Sequence, residues 1–141
     1  MRRRLLLAAP LALVAARHAW AHSYKLGNIE IGHPWARPSV TGAAAVFLAM
    51  SNLGRSTERL TGGTTPIAKD VLLRDEDGGP LEYLELLPHH PMALRPGRRY
   101  IALLGLKGPL ALDDQFPLTL RFDHAGEVTV TVRVEDGPEE G

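Results

Sequence analysis

The sequence predicts an all-β domain, built as an antiparallel sandwich or barrel. Short apolar runs separated by turn residues dominate the chain after the first 21 residues, and this spacing is typical of sandwiches and barrels. The clearest runs are 118–122 and 127–134, where apolar residues occupy every second position and a four-residue turn joins the two runs. No segment has sustained apolar residues at helical spacing. We therefore expect sheet packed on sheet around one core.

Eight strands are predicted in chain order. Turn-forming clusters of Gly, Pro, Asn and Asp separate the runs, although Ala43–Met50 is alanine-rich and ambiguous by propensity alone. The predicted strands are Gly27–Ile31, Ala43–Ser51, Leu60–Thr64, Ala68–Arg74, Leu81–Leu87, Tyr100–Leu104, Leu118–Phe122 and Glu127–Val134.

The first 21 residues have the pattern of a secretory signal peptide. Arg2–Arg4 form a basic start, Leu5–Ala16 an apolar run, and Ala19–Ala21 a small-x-small cleavage site. The apolar run is shorter than the roughly 20 residues that cross a bilayer, so we expect no membrane span after cleavage. The expected location is the periplasm. A pair of arginines before the apolar run leaves the Sec and twin-arginine export routes both open.

Cleavage after residue 21 leaves enough chain for one domain with a modest core. We expect a β domain at 22–134 and a disordered acidic tail at 135–141. The signal holds four of the 16 basic residues and none of the 16 acidic ones, so the remainder has 12 basic and 16 acidic residues and a net charge of −4. This charge argues against binding of nucleic acid or of an anionic membrane, which requires a basic surface. The chain has no cysteine, which excludes thiolate chemistry.

No pattern in the sequence indicates an enzyme. Without cysteine, nucleophilic catalysis needs a Ser or Thr with a His base, and none of the serines after the signal stands in a nucleophile-elbow context. Asp75–Gly79 lacks the third acidic position and the closing Glu of an EF-hand loop. Gly62–Pro66 lacks the glycine spacing and the Lys of a phosphate-binding loop. Both segments are predicted to be turns.

Several phrases together resemble the PCu(A)C-type periplasmic copper chaperones. The most specific phrase is His-Pro-Trp-Ala-Arg-Pro at 33–38, and the others follow in the family's order as far as residue 134. The resemblance implies a cupredoxin-like, antiparallel Greek-key fold. The other phrases are Gly27–Ile31, Ser51–Gly54, Glu58–Leu60, Leu94–Gly97, Leu103–Lys107 and Phe116–Leu120.

The resemblance also implies where copper ligands should lie, and this chain lacks the expected donors there. Family members bind copper through a His, a later Met and a His-x-Met pair on a late strand, and imidazole with thioether suits copper without cysteine. These positions fall on Arg74, near Tyr83 or Glu85, and on Tyr100 and Ala102. A positive charge about 4 Å from a bound cation costs about 1 kcal/mol in water and more in a drier site. The family's own copper site is therefore predicted to be absent.

One local cluster offers replacement ligands, in the sequence His89-His90-Pro91-Met92. Two imidazoles and a thioether within four residues supply two or three donors for Cu(I). The segment lies between the strands that would carry the missing ligands. The alternative is a polar loop bracketed by two prolines, with both histidines in water and Met92 directed into the core.

His22 is a second candidate ligand. After cleavage, its α-amine and imidazole form a chelate that favours Cu(II), and the alternative is a frayed N-terminus with a solvated imidazole. His33 is interpreted as part of a packing motif, because the following Pro fixes the backbone and the following Trp has a large apolar side chain. His124 is expected to be exposed in the hairpin turn, and Met50 to lie in the core.

Two functions follow from these observations. The resemblance implies a copper-binding chaperone that delivers copper to the dinuclear copper centre of a respiratory oxidase, with an oxidase subunit or its copper-assembly factors as partners. Copper is then held by the 89–92 segment and His22. The alternative is a ligand-free paralogue without metal, a protein-binding or scaffold module that uses the surface of Arg74 and Tyr100 for a partner.

Overall fold

The structure, a computed structural model, describes residues 23–137. The predicted signal peptide, His22 and the last four residues of the predicted tail lie outside the described residues. The strands are β1 (Ser23–Leu26), β2 (Ile29–Ala36), β3 (Ala43–Asn52), β4 (Glu58–Thr64), β5 (Ala68–Arg74), β6 (Pro80–Leu81), β7 (Leu84–Leu86), β8 (Met92–Leu94), β9 (Tyr100–Leu106), β10 (Gln115–Phe122) and β11 (Gly126–Val134).

These strands form one sheet that closes nearly into a barrel. The hydrogen-bonded order is β6-β5-β9-β3-β2-β11-β10-β4-β7, with β1 added to β2 and β8 added to β3. The connection 65–67 joins β4 to β5, near opposite ends of this order, and so brings the two ends of the sheet together. The all-β prediction is confirmed. No helix within residues 23–137 has the length and hydropathy needed to cross a membrane.

One strand pair departs from the antiparallel prediction. β11 pairs with β2 in parallel, with Arg133 opposite Trp35 and Val134 opposite Ala36, whereas the other paired strands of the described chain are antiparallel. A tight turn can join only antiparallel neighbours. The parallel pair joins strands far apart in the chain, so no local sequence pattern predicts it.

The predicted strand positions agree closely with the structure in most of the chain. The predicted run 81–87 divides into β6 and β7 because the two halves pair with different partners, β6 with β5 and β7 with β4. Strands β1 and β8 were not predicted. Both are short, and β8 follows directly after a proline, a residue that cannot donate a backbone hydrogen bond to a neighbouring strand.

The core fills the interior of the barrel. Alternate residues of β10 and β11 face it, as the hairpin pattern predicted, and Met50 is 1% exposed. Burying a side chain of this size contributes about 1.5–3 kcal/mol. The largest fully buried side chains are Ile31, Met50, Leu60, Leu84, Leu86, Leu94, Ile101, Leu103, Leu118, Leu120, Val46 and Val130.

The His-Pro-Trp string forms a bulge and an outer aromatic pair. The β2–β3 register shifts between Gly32 and Trp35, and His33 in this bulge has a φ of 50°. The Trp35 ring packs 4.8 Å from the Phe47 ring. Trp35 is buried, yet it pairs with Phe47 on the side of the sheet opposite the core residue Ala36 that follows it in β2. The string therefore has a packing role, on the outer face of the barrel.

A buried asparagine fastens the segment that contains the two adjacent histidines. Asn52 ends β3 at 2% exposure, and its side-chain amide donates to the carbonyls of Ser56 at 2.8 Å and Leu86 at 3.0 Å. Its side-chain oxygen accepts the N–H of Gly54 at 2.9 Å. The backbone carbonyl of Asn52 accepts the N–H of His89 at 2.7 Å. The Ser-Asn-Leu-Gly phrase is thus a structural junction between β3, the connection that leads to β4, and β7.

Candidate metal centre

The two adjacent histidines lie in an exposed turn between β7 and β8. His89 has a φ of 61°, and the N–H of His90 donates to the carbonyl of Leu87 at 3.2 Å. The Nδ1 atom of His90 lies 2.9 Å from the carbonyl oxygen of Pro88. Because a carbonyl only accepts, this nitrogen carries the proton in that bond, and the lone pair of the neutral ring is on Nε2. An exposed Nε2 lone pair is available to a metal ion.

Met92 begins β8 and pairs with Met50 of β3. It is half-buried and packs against the barrel core, as the loop alternative expected. It also lines a cleft of about 190 Å³ together with Glu76, Ala93, Arg98 and Arg99. Two guanidinium groups in this cleft oppose a bound cation, whereas the carboxylate and the thioether are potential ligands.

The positions implied for the family's copper ligands come together on one face but have the wrong chemistry. Arg74 of β5 lies opposite Tyr100 of β9, and Ala102 lies opposite Leu72 two residues further along. The neighbouring Leu73 and Ile101 belong to the core, so Arg74, Tyr100 and Ala102 share the outer face of the sheet. A guanidinium, a phenol and a methyl group do not replace imidazole and thioether donors. This face does not fit a copper ion.

Tyr83 and Glu85, the two residues near the position implied for the middle methionine, both interact with Arg59. The Arg59 guanidinium lies 4.2 Å from the centre of the Tyr83 ring and 3.9 Å from a carboxylate oxygen of Glu85. Both candidate residues for that position therefore interact with a cation from the protein itself. Neither a phenol nor a carboxylate replaces the soft thioether donor implied at this position.

The other described histidines, His33 and His124, belong to no group of three potential metal ligands. His33 is exposed, with its Nε2 atom 3.3 Å from a carboxylate oxygen of Glu135. His22 lies outside the described residues. Within residues 23–137, no three His, Asp or Glu side chains come together as a metal-binding group. Among the sequence-predicted donors in the described residues, His89, His90 and Met92 are neighbours along the chain.

A polar cluster that sequence reasoning missed joins Glu58 to His124. Glu58 begins β4 at 6% exposure and lines a cleft of about 450 Å³ together with His124. Its carboxylate accepts the backbone N–H groups of His124 and Ala125 and lies 3.2 Å from His124 Nδ1. The His124 side chain itself is 75% exposed, as expected for the hairpin turn. The sequence did contain an indication that Glu58 is buried, because Glu58 lies two residues before the buried Leu60 and so faces the same side of the strand.

The pKa of the Glu58 carboxyl is lowered by these contacts. Burial by itself raises this pKa, but hydrogen bonds from the backbone N–H groups of Arg59, His124 and Ala125 and from the His124 ring outweigh it. The pKa therefore lies below its ordinary value of 4.5. The carboxylate is ionised at neutral pH and holds the β10–β11 turn against β4.

Comparison with known proteins gives a consistent family assignment. A family model described as "Putative lipoprotein LpqE-like" matches residues 29–134. A curated relative, the putative lipoprotein Lxx21020 of Leifsonia xyli subsp. xyli, is 26% identical over 117 residues, which cover 77% of this chain and 70% of that protein.

Solved structures share the fold. The apo PCuAC domain from PmoF1 superimposes with a TM-score of 0.76 at 28% identity, over 82% of this chain and 100% of that domain. The copper-bound PCuAC domain from PmoF2 has the same TM-score at 26% identity, over 82% of this chain and 99% of that domain. Cu(I)-DR1885 from Deinococcus radiodurans matches with a TM-score of 0.63 at 21% identity, over 87% of each chain, and supports the fold alone.

Proposed function

Since this chain belongs to the LpqE-like family and has the fold of PCuAC copper-chaperone domains, we propose that it receives copper and passes it to the dinuclear copper centre of a respiratory oxidase. The observation that carries this proposal is the likeness to a copper-bound PCuAC domain over almost that whole domain. The description of the family as lipoproteins supports an extracytoplasmic location, and a periplasmic one is proposed. The role is binding and transfer of copper, without catalysis.

The 89–92 segment is the proposed copper-binding site. His89 and His90 are exposed, and the Nε2 lone pair of His90 faces away from its bond to Pro88. Met92 adds a thioether at the border between core and cleft. Two imidazoles with a thioether match the preference of Cu(I) for soft and intermediate donors. His22, with its α-amine after signal cleavage, is proposed as a further ligand.

Accessibility of the segment also suits transfer. A chaperone must release copper to an acceptor, so an exposed site with few ligands is better suited than a closed cage. The turn is anchored at its first residue by the bond from His89 N–H to Asn52, while the imidazoles remain in solvent. An acceptor protein can therefore reach the ion without unfolding the barrel.

Titration with Cu(I) tests this proposal. The purified chain competes with a chromophoric chelator at neutral pH, and the same titration is made with His89→Ala, His90→Ala and Met92→Leu. We expect a dissociation constant below about 1 µM for the original chain and a loss of at least tenfold in each variant. His124→Ala removes an exposed imidazole outside the segment and should leave the affinity unchanged. Uptake that is weak, or that none of the three substitutions changes, refutes the proposed ligands.

A second function is favoured by the natural residues at the family's ligand positions, because these residues are not copper donors. Arg74 and Tyr100 form a cross-strand pair on an outer face, where arginine and tyrosine are well suited to protein contacts. A ligand-free paralogue would use this surface to bind a partner protein. The copper titration separates the two functions, because a ligand-free module shows no affinity that depends on the 89–92 segment.

A further inference from the structure

The outer face of β5, β9 and β3 carries apolar side chains between an acidic and a basic residue of β5. Core residues alternate with outer residues along each of these strands, with Leu73, Ile101 and Val46 in the core. The strand register then arranges the outer residues in rows across the face. The rows are Asp70–Leu104–Ala43, Leu72–Ala102–Ala45 and Arg74–Tyr100.

The middle row has one projecting apolar side chain between small neighbours. Leu72 is 38% exposed, whereas Ala102 beside it is 5% exposed. Ala45 extends the row on the next strand. Because Ala102 is already covered within the chain, a second surface would meet this row mainly through Leu72. Single exposed apolar residues are common on protein surfaces, so the indication of a contact surface here comes from the charges that border Leu72.

The border of this row carries one charge of each sign. Asp70 and Arg74 lie on β5 at equal distances from Leu72, roughly 13 Å apart along an extended strand. In the part of the chain that the structure describes, neither forms an ion pair or a side-chain hydrogen bond. Along β5, the outer face therefore presents an acidic, an apolar and a basic residue in turn. Both charges are available to pair with another molecule.

We propose that this face binds the same face of a second copy of the chain about a two-fold axis. A two-fold interface brings one patch against itself, so residue i meets residue j and j meets i. If the two β5 strands run antiparallel across the axis, Arg74 of each copy lies opposite Asp70 of the other. The two Leu72 side chains then meet between these ion pairs. The sequence of charges along β5 is therefore self-complementary.

This pairing is independent of copper binding and of the 89–92 segment. It goes beyond the copper function, and for the ligand-free alternative it specifies the partner as a second copy. The two proposals fail separately: a variant that loses the dimer keeps the copper affinity of the 89–92 segment, and a variant of that segment keeps the dimer.

Sedimentation velocity over a range of concentrations up to about 1 mM, the weak end of measurable affinity, tests the pairing. We expect a concentration-dependent monomer–dimer equilibrium for the full chain. Arg74→Asp and Asp70→Arg should each weaken the dimer about tenfold or more, because like charges then face each other. The double variant with both charges reversed should recover the dimer. Leu72→Asp should abolish it, whereas Leu112→Asp, at a similarly exposed position, should not.

Circular dichroism and urea unfolding of each variant confirm that the barrel is intact before its association is compared. A chain that stays monomeric over the whole range overturns the pairing and leaves the face to a different protein. A dimer that survives Leu72→Asp and both single charge reversals also overturns it. The same holds if the single reversals abolish the dimer and the double reversal fails to restore it, because the two-fold arrangement requires recovery.

Discussion

Glu58 holds His124 through both its backbone and its ring. Glu58 Oε1 lies 2.9 Å from the backbone nitrogen of His124 and 3.2 Å from its Nδ1 atom, and Oε2 accepts the N–H of Ala125 at 2.7 Å. The backbone N–H of Asp123 donates to the carbonyl of Arg59 at 2.9 Å. The turn of the C-terminal hairpin is therefore fastened to the start of β4 by a buried charge.

Replacing Glu58 should destabilise the fold. Glu58→Gln puts an amide NH₂ group against backbone N–H donors, and Glu58→Ala leaves these donors without an acceptor. We expect either change to lower the free energy of unfolding by about 3 kcal/mol, measured by urea denaturation at neutral pH. Glu127→Gln is the matched control, because Glu127 belongs to an exposed pair with Arg121 and such pairs contribute less than about 1 kcal/mol. Equal effects of the two Gln substitutions would show that the buried contacts are unimportant.

The same carboxylate should make stability depend on pH in the acid range. Its folded-state pKa is lower than its ordinary value of 4.5, so the unfolded chain takes up the proton more readily. The stability that Glu58 contributes is then fully present above pH 4.5 and is lost as the pH falls through the lower folded value. Urea denaturation across this range should show a shallower acid loss in Glu58→Gln than in the original chain. Parallel curves for the two proteins would contradict this assignment.

The Asn52 junction should not tolerate a charge. Asn52→Asp keeps the shape but turns a donor that serves two carbonyls into a carboxylate oxygen facing them. We expect a loss of about 3 kcal/mol in the free energy of unfolding, the cost of a buried charge without a partner. Asn28→Asp, at an exposed position in the β1–β2 turn, should change stability by less than about 0.5 kcal/mol. If both variants lost similar amounts of unfolding free energy, the change in net charge and not the Asn52 junction would be the cause.

Restoring the family's donors should create a copper site on the outer face. The triple variant Arg74→His, Tyr100→His and Ala102→Met places two imidazoles on a cross-strand pair and a thioether two residues along β9. Cross-strand side chains start about 5 Å apart, within reach of one ion. We expect the Cu(I) affinity to rise at least tenfold in the competition titration. Arg74→Ala with the other two positions unchanged removes the charge alone and should give no comparable rise. If both variants bind equally, the added donors are not ligands.

Much of the fold was predictable because strand signals are local. The apolar alternation of 118–134 placed a hairpin that the structure contains, and turn residues marked most strand ends. Strand β8 escaped prediction because Met92–Leu94 is held by pairing with β3 and not by its own composition. The division of 81–87 into β6 and β7 has the same origin, since each part follows a different partner strand.

The sequence shows which donor side chains are available for a candidate site, but it does not show how they are arranged in space. The sequence shows that imidazole and thioether are missing from Arg74, Tyr100 and Ala102, and that the 89–92 segment contains both. Whether His89 and His90 face solvent depends on a turn held by the Asn52 carbonyl, which no local pattern reveals. The role of Glu58 could not be predicted from local sequence, because its partner His124 is 66 residues away along the chain.

The sequence by itself determined the β class of the domain, the absence of thiolate chemistry and the lack of imidazole and thioether at positions 74, 100 and 102, since composition and period-two alternation are properties of the chain alone. Only the tertiary structure decided which distant groups meet and which face each strand turns outward. Closure of the sheet buried Glu58 against the β10–β11 turn and left Asp70, Leu72 and Arg74 outside. Alternation assigns residues to two faces, but the pairing of remote strands decides which of those faces becomes the interior.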